Sequence, residues 1–199
     1  RYRILLTGVS GQLGWELRRA LMPLGDLVCT AGPDMTLRGT ETLDLADAEA
    51  TRDFVRRVAP DLIVNPAAYT RVDNAEDEAP LARAINAVAP AVLAEEAARC
   101  GALMVHYSTD YVFDGQASRP YSENYPPSPV SVYGQTKLDG ELAIQASGVP
   151  HLVLRTSWMY GCRGNNFPLT ILRIAGRQGE VRVVDDQTGS PTWARQVAE

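Results

Sequence analysis

The 199-residue sequence has few cysteines, no basic run and no long apolar stretch. Its three cysteines, Cys29, Cys100 and Cys162, lie far apart, which disfavours a disulfide framework or a metal site and favours a reducing compartment. No apolar run reaches the about 18 residues of a membrane-spanning helix. The net charge is −5, which gives no electrostatic support for binding nucleic acid or an anionic membrane. We therefore expect a cytoplasmic protein with neither kind of partner.

What the sequence does contain is a regular alternation of short apolar runs and helical patterns. Strands are predicted at 2–7, 26–31, 61–68, 102–113, 151–160 and 180–186. Helices are predicted at 11–25, 47–60, 76–100, 131–143, 166–178 and from 191 onward, and a proline-rich loop at 121–129. This alternation is typical of a parallel sheet with helices on both faces. It predicts an α/β fold with a Rossmann-type, doubly wound parallel sheet.

The first predicted strand leads directly into three glycines, Gly8, Gly11 and Gly14, spaced G-x-x-G-x-x-G. Glycines allow a tight turn and a close approach of the backbone to a pyrophosphate, whose charge the helix N-terminus stabilises. A glycine triplet alone also occurs in ordinary turns and helix caps. Because this one closes a strand and opens an amphipathic helix, we interpret it as a dinucleotide-binding loop.

The segment 131–143 places Tyr133 four residues before Lys137, so both lie on one face of a helix. Taken alone, the pair is better explained as a tyrosine ring packed beside a solvated lysine. A lysine charge about 4 Å from the phenol would instead lower its pKa from about 10 to near neutrality, at an effective dielectric constant of about 20. Such a phenol would be an effective general acid.

These two motifs, in this order, resemble the extended branch of the short-chain dehydrogenase/reductase superfamily. Within it, the chain resembles the dTDP-4-dehydrorhamnose reductase family, through the segments GQLGWELRRAL, NPAAYTRVDNAEDE, HYSTDYVFDG, VYGQTKLDGE, RTSWMYG and DDQTGSPT. The resemblance extends over essentially all 199 residues. It implies reduction of the C4 ketone of dTDP-4-dehydro-L-rhamnose to dTDP-L-rhamnose, with NADPH as the cofactor and NADH as an alternative.

The family resemblance also implies a domain organisation. We expect an NAD(P)-binding Rossmann domain at 1–160 and, at 161–199, the start of a small sugar-nucleotide-binding region with returning Rossmann elements. Because the family is longer and residues 191–199 read as a helix without a C-terminal cap, we expect residues to be missing at the C-terminus. The oligomeric state stays open, with a homodimer as one candidate.

The resemblance further implies roles for individual residues. Tyr133 protonates O4 of the sugar, Lys137 tunes Tyr133 and holds the nicotinamide ribose, and Thr109 hydrogen-bonds the substrate oxygen. The implied cofactor-binding residues are Gly8, Gly11, Gln12, Leu13, Gly14, Asp44, Leu45, Ala68, Tyr69, Thr70, Tyr107, Tyr133 and Lys137. The implied substrate-binding residues are Val72, Thr109, Asp110, Tyr111 and Trp158. Without the resemblance we would interpret Thr109 and Trp158 as structural, and we interpret His106 and His151 as structural.

The choice of cofactor depends on the end of the second predicted strand. Many NAD-binding folds carry an acidic residue there that binds the ribose 2′-hydroxyl. This sequence has Ala31 at that place, with Asp34 just beyond and Arg38 further along. The missing carboxylate favours NADPH, although no basic residue clearly marks a 2′-phosphate site.

Two other functions stay open. A related nucleotide-sugar epimerase or dehydratase would use the same fold, but dehydratases usually follow the threonine with an Asp-Glu pair, whereas Thr109 here precedes Asp110 and Tyr111. A non-catalytic, NADP-binding regulatory subunit of the methionine adenosyltransferase type resembles the same family. The Thr, Tyr and Lys set favours an enzyme over this second alternative.

Overall fold

The computed structural model describes residues 1–35 and 37–199. Its central feature is a six-stranded sheet in the order β3-β2-β1-β4-β5-β6, in which all neighbouring strands are parallel. The strands are β1 (Tyr2–Leu6), β2 (Gly25–Ala31), β3 (Glu41–Thr42), β4 (Leu62–Asn65), β5 (Leu103–Thr109) and β6 (His151–Thr156). Two short strands, β7 (Met159–Tyr160) and β8 (Thr192–Trp193), form a separate parallel pair. The predicted doubly wound parallel fold is confirmed.

Seven α-helices connect or flank these strands in the described ranges. They are α1 (Gln12–Leu21), α2 (Ala48–Val58), α3 (Ala79–Arg83), α4 (Ala89–Cys100), α5 (Val132–Ala146), α6 (Phe167–Gln178) and α7 (Ala194–Ala198). Short 3-10 turns occupy Asp73–Ala75 and Asp110–Val112. No helix within the described ranges has the length and hydropathy of a membrane span.

Residues 76–100, predicted to be largely helical, are helical from Ala79 to Cys100, in three consecutive segments. A π-helical segment, Ala84–Val88, joins α3 to α4. Pro80 lies in the first turn of α3, where a missing N–H costs no intrahelical hydrogen bond, and Pro90 lies just after the π segment. The π segment inserts between them, and such segments often mark functional sites.

Four strand predictions need correction. The strand predicted at 180–186 is wrong: that segment forms no regular element, and Val183 and Val184 are exposed rather than paired with a sheet edge. The strand predicted to reach 160 breaks after Thr156 because Trp158 has a φ of 43°, outside the extended region. The strand predicted at 61–68 ends before Pro66, which cannot donate to a ladder. The strand predicted at 102–113 ends at Thr109, where the chain turns into the 3-10 segment.

The sheet has an apolar core on each face because strand side chains alternate in direction. Leu5, Ile63 and Met104 belong to the core on which α2, α4 and α5 pack. Leu6 and Val64 belong to the opposite core, which α1 and α7 cover. The buried strands therefore read as continuous apolar runs.

The strand order reverses between β1 and β4, where the chain crosses from one half of the sheet to the other. At such a switch point the loops that follow the two strands diverge and leave a crevice at the carboxyl ends of the strands. The candidate site lies in this crevice.

Candidate functional site

A cleft of about 760 Å³ extends across the carboxyl ends of β1, β2, β4 and β5. Many residues implied by the family resemblance line it, namely Gly8, Gly11, Gln12, Leu13, Gly14, Asp44, Leu45, Ala68, Thr70, Val72, Tyr107, Tyr133, Lys137 and Trp158. Its volume is within the range of small-molecule and cofactor sites. Among the described residues, no group of three or more His, Cys, Asp or Glu side chains is arranged to hold a metal ion.

The three glycines at one end of the cleft have different structural roles. Gly8 has a φ of 57°, and a Cβ there would press against Ala67. A Cβ on Gly14 would overlap the carbonyl group of Gly8, so this glycine allows α1 to pack against the turn. Gly11 has ordinary backbone angles. Among the described residues not adjacent to it in the chain, the position of its Cβ would have one close neighbour, the Gly8 carbonyl oxygen at 3.4 Å. Gly11 therefore presents an open backbone surface to the cleft.

The N-terminus of α1 points into the same end of the cleft. Its N-cap is Gly11, which supplies no side-chain acceptor for the first amide groups of the helix. The start of α2, the next helix in the chain, has a side-chain cap: the Asp47 carboxylate accepts a hydrogen bond from the Ala50 amide at 2.9 Å. Free amides and the helix dipole make the start of α1 suited to an anionic group.

A loop from the C-terminal part of the chain closes over α1. Asn166 Nδ2 donates to Gln12 Oε1 at 2.8 Å, and Gln12 Nε2 donates to the Asn165 carbonyl oxygen at 3.2 Å. The Arg163 guanidinium lies 3.8 Å from the centre of the Trp15 ring. Gly164 and Asn165 thereby join the lining of the cleft. Sequence reasoning missed this loop, because the contacts join residues about 150 positions apart and no local pattern marks them.

The other side of the glycine end is lined mainly by small and apolar residues, together with one carboxylate. Ala31, Gly32 and Pro33, at the end of β2, line it, and Asp44 is the acidic residue of the described cleft lining. The Asp44 carboxylate accepts a hydrogen bond from the Ala46 amide at 2.9 Å. Asp34, which the sequence left as a candidate for the ribose, is not in the lining.

Tyr133 lies at the far end of the cleft, on the first turn of α5. Ser131 caps this helix by accepting a hydrogen bond from the Gly134 amide at 3.1 Å. A side chain at Gly134 would overlap the backbone of Tyr111, so the glycine lets α5 approach the 3-10 turn after β5. The rings of Tyr133 and Tyr111 meet edge to face at 5.6 Å. This contact places the phenol of Tyr133 beside the end of β5.

The pKa of Tyr133 is raised to about 12, mainly because the side chain is buried. A hydrogen bond with the Thr109 side chain lowers it, and the charge of Asp110 raises it. The predicted shift toward neutrality by Lys137 is therefore wrong in direction for the chain without bound cofactor. The physical reason is that burial disfavours the phenolate, and that the Lys137 ammonium is engaged elsewhere.

Lys137 is buried, with 2% of its surface exposed. Its Nζ donates to the Tyr107 carbonyl oxygen at 2.6 Å and lies 3.4 Å from Nε2 of His106. Burial lowers the pKa of Lys137 to about 8, and the charge of Glu141 opposes this shift. The interpretation of Lys137 as a solvated lysine is therefore excluded. His106 is buried, in keeping with its interpretation as structural. Its contact with Lys137 was not predicted from the sequence.

Four implied site residues do not line the cleft: Tyr69, Thr109, Asp110 and Tyr111. The Tyr69 hydroxyl donates to Glu78 at 2.7 Å, and its ring packs in the small cluster that contains Tyr133. The Asp110 carboxylate accepts a hydrogen bond from Ser157 at 2.6 Å. The Thr109 side chain forms a hydrogen bond with Tyr133. The Tyr111 ring packs edge to face against the Tyr133 ring. Trp158 is 47% exposed, with its ring against Gly189.

Two further residues near Tyr133 were missed by sequence reasoning. Asn86 lies in the π segment and is buried. Its Nδ2 donates a hydrogen bond to the Tyr69 carbonyl oxygen at 3.1 Å, and its Oδ1 accepts one from the Tyr69 amide at 2.9 Å. It thereby holds the loop that follows β4. Ser108 lines the cleft, and its buried hydroxyl has no hydrogen-bond partner among the described residues. An asparagine inside an apolar helical pattern was the available signal for Asn86.

Comparison with known proteins gives a consistent result. The family model described as the RmlD substrate binding domain matches residues 2–199. A curated relative named dTDP-4-dehydrorhamnose reductase, from Burkholderia thailandensis, is 47% identical over 99% of this chain and 63% of its own length. A relative of the same name from Escherichia coli strain K12 is 45% identical over 98% of this chain and 64% of its own length.

Solved structures agree with the sequence relatives. A dTDP-4-dehydrorhamnose reductase from Bacillus anthracis, solved in complex with NADP, superposes with a TM-score of 0.90 at 36% identity. The match covers 100% of this chain and 68% of that one. The chain thus spans somewhat less than two thirds of the length of the curated relatives it matches.

Proposed function

We propose that this chain, which belongs to the RmlD substrate binding domain family, is the cofactor-binding and catalytic part of an NADPH-dependent dTDP-4-dehydrorhamnose reductase. The reaction is the reduction of the C4 ketone of dTDP-4-dehydro-L-rhamnose to dTDP-L-rhamnose. The observation that carries the proposal is one continuous cleft, with the glycine loop at one end and the buried pair Tyr133 and Lys137 at the other. The names of the curated relatives support it.

The residues of the cleft fit NADPH. The open backbone at Gly11 and the N-terminus of α1 suit a pyrophosphate. Ala31 and Gly32 bring no carboxylate near the expected place of a 2′-phosphate, and the relative from Bacillus anthracis was solved with NADP. When bound, NADPH would supply the hydride that reduces the ketone. Asp44 and Leu45 would lie at the adenine end, and Ala68 and Thr70 at the nicotinamide end.

Tyr133 would supply the proton for the forming alkoxide at O4. Its raised pKa of about 12 keeps the phenol protonated throughout the physiological range, so the proton is always available. Thr109, whose side chain interacts with the phenol, would donate a second hydrogen bond to the same oxygen. Burial of the phenol keeps water from competing for its proton.

Lys137 would orient the cofactor ribose and stabilise negative charge on the phenol during proton transfer. An ammonium group has three N–H donors. One is directed at the Tyr107 carbonyl oxygen and one lies near His106, so a third remains for a ribose hydroxyl. As a buried cation lining the same cleft, Lys137 would favour negative charge on the phenol of Tyr133.

The sugar nucleotide would approach from the side of Val72, Tyr111 and the exposed face of Trp158. Asp110, held by Ser157, would contact the sugar hydroxyl groups. We propose that residues 1–160 form the cofactor domain and that 161–199 begin the sugar-nucleotide-binding region. The reaction would take place in the cytoplasm, in keeping with three cysteines that are all free.

The proposal is tested with the purified full-length protein. NADPH should be oxidised on addition of dTDP-4-dehydro-L-rhamnose, and mass spectrometry and NMR of the product should identify dTDP-L-rhamnose. Conversion of a sugar nucleotide into its epimer without net consumption of NADPH would instead identify an epimerase. Tight NADPH binding with no turnover of any 4-keto sugar would favour a regulatory subunit.

A further inference from the structure

A row of buried polar side chains lies beneath Lys137 and crosses the middle of the sheet. Thr7 follows β1, Asn65 ends β4, and His106 lies opposite Asn65 in the register of β4 and β5. Thr7 Oγ1 is 2.6 Å from Asn65 Oδ1, and Asn65 Nδ2 is 3.1 Å from His106 Nδ1. His106 Nε2 is 3.4 Å from Lys137 Nζ. The row therefore connects the turn after β1 with the candidate catalytic lysine.

Packing alone does not explain why these buried positions carry polar side chains, since apolar side chains would fill the same space. Thr7, Asn65 and His106 are each fully buried, between two cores that are largely apolar. A buried polar group that loses its partner costs about 1–3 kcal/mol, so such rows persist only where every member is satisfied. Only some arrangements of protons satisfy all four side chains at once.

The arrangement of protons depends on the charge of Lys137. A neutral imidazole has one N–H donor and one acceptor nitrogen. A charged Lys137 brings only donors, so His106 must present the lone pair of Nε2 and carry its proton on Nδ1. Nδ1–H then needs an acceptor. Asn65 Oδ1 becomes that acceptor if the Asn65 carboxamide makes a half-turn from its orientation in the structure, where Nδ2 faces His106 Nδ1 and Oδ1 accepts from Thr7. The orientation in the structure matches the opposite case: Asn65 Nδ2 donates to Nδ1, the imidazole proton is on Nε2, and a neutral Lys137 amine accepts from Nε2–H.

We propose that His106 is a positioning residue for Lys137: with its tautomer coupled to the orientation of the Asn65 carboxamide, it accepts a hydrogen bond from the ammonium and favours the charged form. A role for His106 in catalysis rests on the proposed reductase function. The predicted tautomer of His106 is independent of that function. The His106 acceptor and the Tyr107 carbonyl oxygen together fix two of the three N–H directions of Lys137. The third would remain available to a ribose hydroxyl of the bound cofactor.

The acidic groups on this helix and on the elements packed around it are engaged by other partners. Glu141, one turn along α5 from Lys137, forms a salt bridge with Arg155 of β6 at 2.6 Å. Asp110 accepts from Ser157, and on α4 Glu96 pairs with Arg52 and Arg56. Burial and the charge of Lys137 hold the pKa of His106 well below its usual value, so the imidazole stays neutral. His106 is thus free to act as an acceptor across the physiological pH range.

The first test is NMR of the full-length protein with ¹⁵N-labelled histidine, without cofactor or substrate. Long-range ¹⁵N–¹H correlations distinguish the two neutral tautomers, and His106→Gln assigns the signal. Below the pKa of Lys137, about 8, the Nδ1–H tautomer is expected, and above it the Nε2–H tautomer. An imidazolium signal between pH 6 and 8, or the Nε2–H tautomer while Lys137 is charged, would overturn the proposal.

The second test follows the titration of Lys137 through its ¹³Cε shift in variants. His106→Leu removes the acceptor and should lower the pKa of Lys137 by about one to two, the equivalent of one charged hydrogen bond. His106→Gln restores an acceptor near the Nε2 position and should return most of that shift. His151→Leu is the matched control, because His151 lies at the start of β6 and its ring contacts the Val149 carbonyl oxygen. Equal Lys137 titrations in all four proteins would contradict a positioning role.

These outcomes are separable from the fate of the proposed function. Neither measurement uses substrate, so a protein without reductase activity can still show the predicted tautomers and pKa shift. If the reductase function holds, His106→Leu should also move the alkaline limb of the kcat/KM profile to lower pH, and His106→Gln should restore it. A reductase whose His106→Leu variant keeps the wild-type pH profile would show that His106 has no positioning role in catalysis. If His106→Leu fails to fold, the tautomer measurement on the unchanged protein decides the matter.

Discussion

Gly14 packs directly against the carbonyl group of Gly8, and no side chain fits between them. Gly14→Ala should therefore force α1 away from the turn after β1. Overpacking of this kind typically destabilises a protein by about 1–3 kcal/mol. Urea denaturation followed by circular dichroism measures the free energy of unfolding directly.

Gly176→Ala is the matched control for this substitution. Gly176 lies in α6, and apart from its own helix no atom of the described residues lies within 4 Å of the position its Cβ would take. Alanine has the higher helix propensity, so this variant should be unchanged or more stable by up to about 1 kcal/mol. Equal stabilities of Gly14→Ala and the wild type would show that the packing of Gly14 against Gly8 is not required.

Gly11→Val should leave the fold intact and abolish NADPH binding. Gly11 has a φ of −73° and a ψ of 169°, which any residue adopts, and its Cβ direction is open. The valine side chain would instead occupy the space proposed for the pyrophosphate. Fluorescence titration with NADPH measures the affinity, and near-ultraviolet circular dichroism checks the fold. Wild-type affinity in a folded Gly11→Val variant would remove the glycine loop from the site.

Cofactor preference should respond to a carboxylate at the end of β2. The wild-type protein should bind NADPH at least as tightly as NADH. Gly32 lines the cleft and has open space around its Cβ position, so Gly32→Asp should place a negative charge near the 2′-phosphate. NADPH affinity should then fall at least about tenfold relative to NADH, or about 1.4 kcal/mol. A wild-type protein that binds NADH tenfold more tightly would show that another acid, such as Asp44, contacts the ribose.

The folded protein should become more stable between about pH 8 and pH 10.5, partly because of Lys137. Its pKa is lowered from 10.5 to about 8, so between these values the unfolded chain binds more protons than the folded chain. The cost of burying the charged lysine, about 3 kcal/mol, is fully present below pH 8 and is relieved as the pH rises. Lys137→Met should flatten this part of the stability profile while impairing activity. An unchanged slope would mean that Lys137 titrates as a solvated lysine.

The local parts of the site could be predicted from the sequence. The strand, glycine and helix pattern of residues 2–21 depends on neighbouring residues, and so does the spacing of Tyr133 and Lys137 on one helical turn. The parallel sheet followed from the alternation of apolar runs and helices. The roles of single residues came from the family resemblance, and they stay predictions.

The sequence-based predictions that were wrong, and the contacts that were missed, concern features that depend on residues far apart in the chain. Val183 and Val184 have a strand-like pattern, but a strand needs a partner edge, which no local pattern supplies. The contact between His106 and Lys137 depends on the packing of α5 against β5. The predicted lowering of the Tyr133 pKa considered only the distance between the phenol and the Lys137 charge. It left out burial, which has the larger effect on this pKa in the structure.

The proposed reaction depends most directly on the phenol of Tyr133. Tyr133→Phe keeps the ring and its edge-to-face contact with Tyr111, so folding and NADPH affinity should be unchanged. The decisive measurement is the rate of dTDP-4-dehydro-L-rhamnose reduction by the full-length Tyr133→Phe variant at saturating NADPH. Loss of a general acid should lower this rate by about 10²–10⁴-fold. A wild-type rate in this variant would contradict the assignment of Tyr133 as the proton donor.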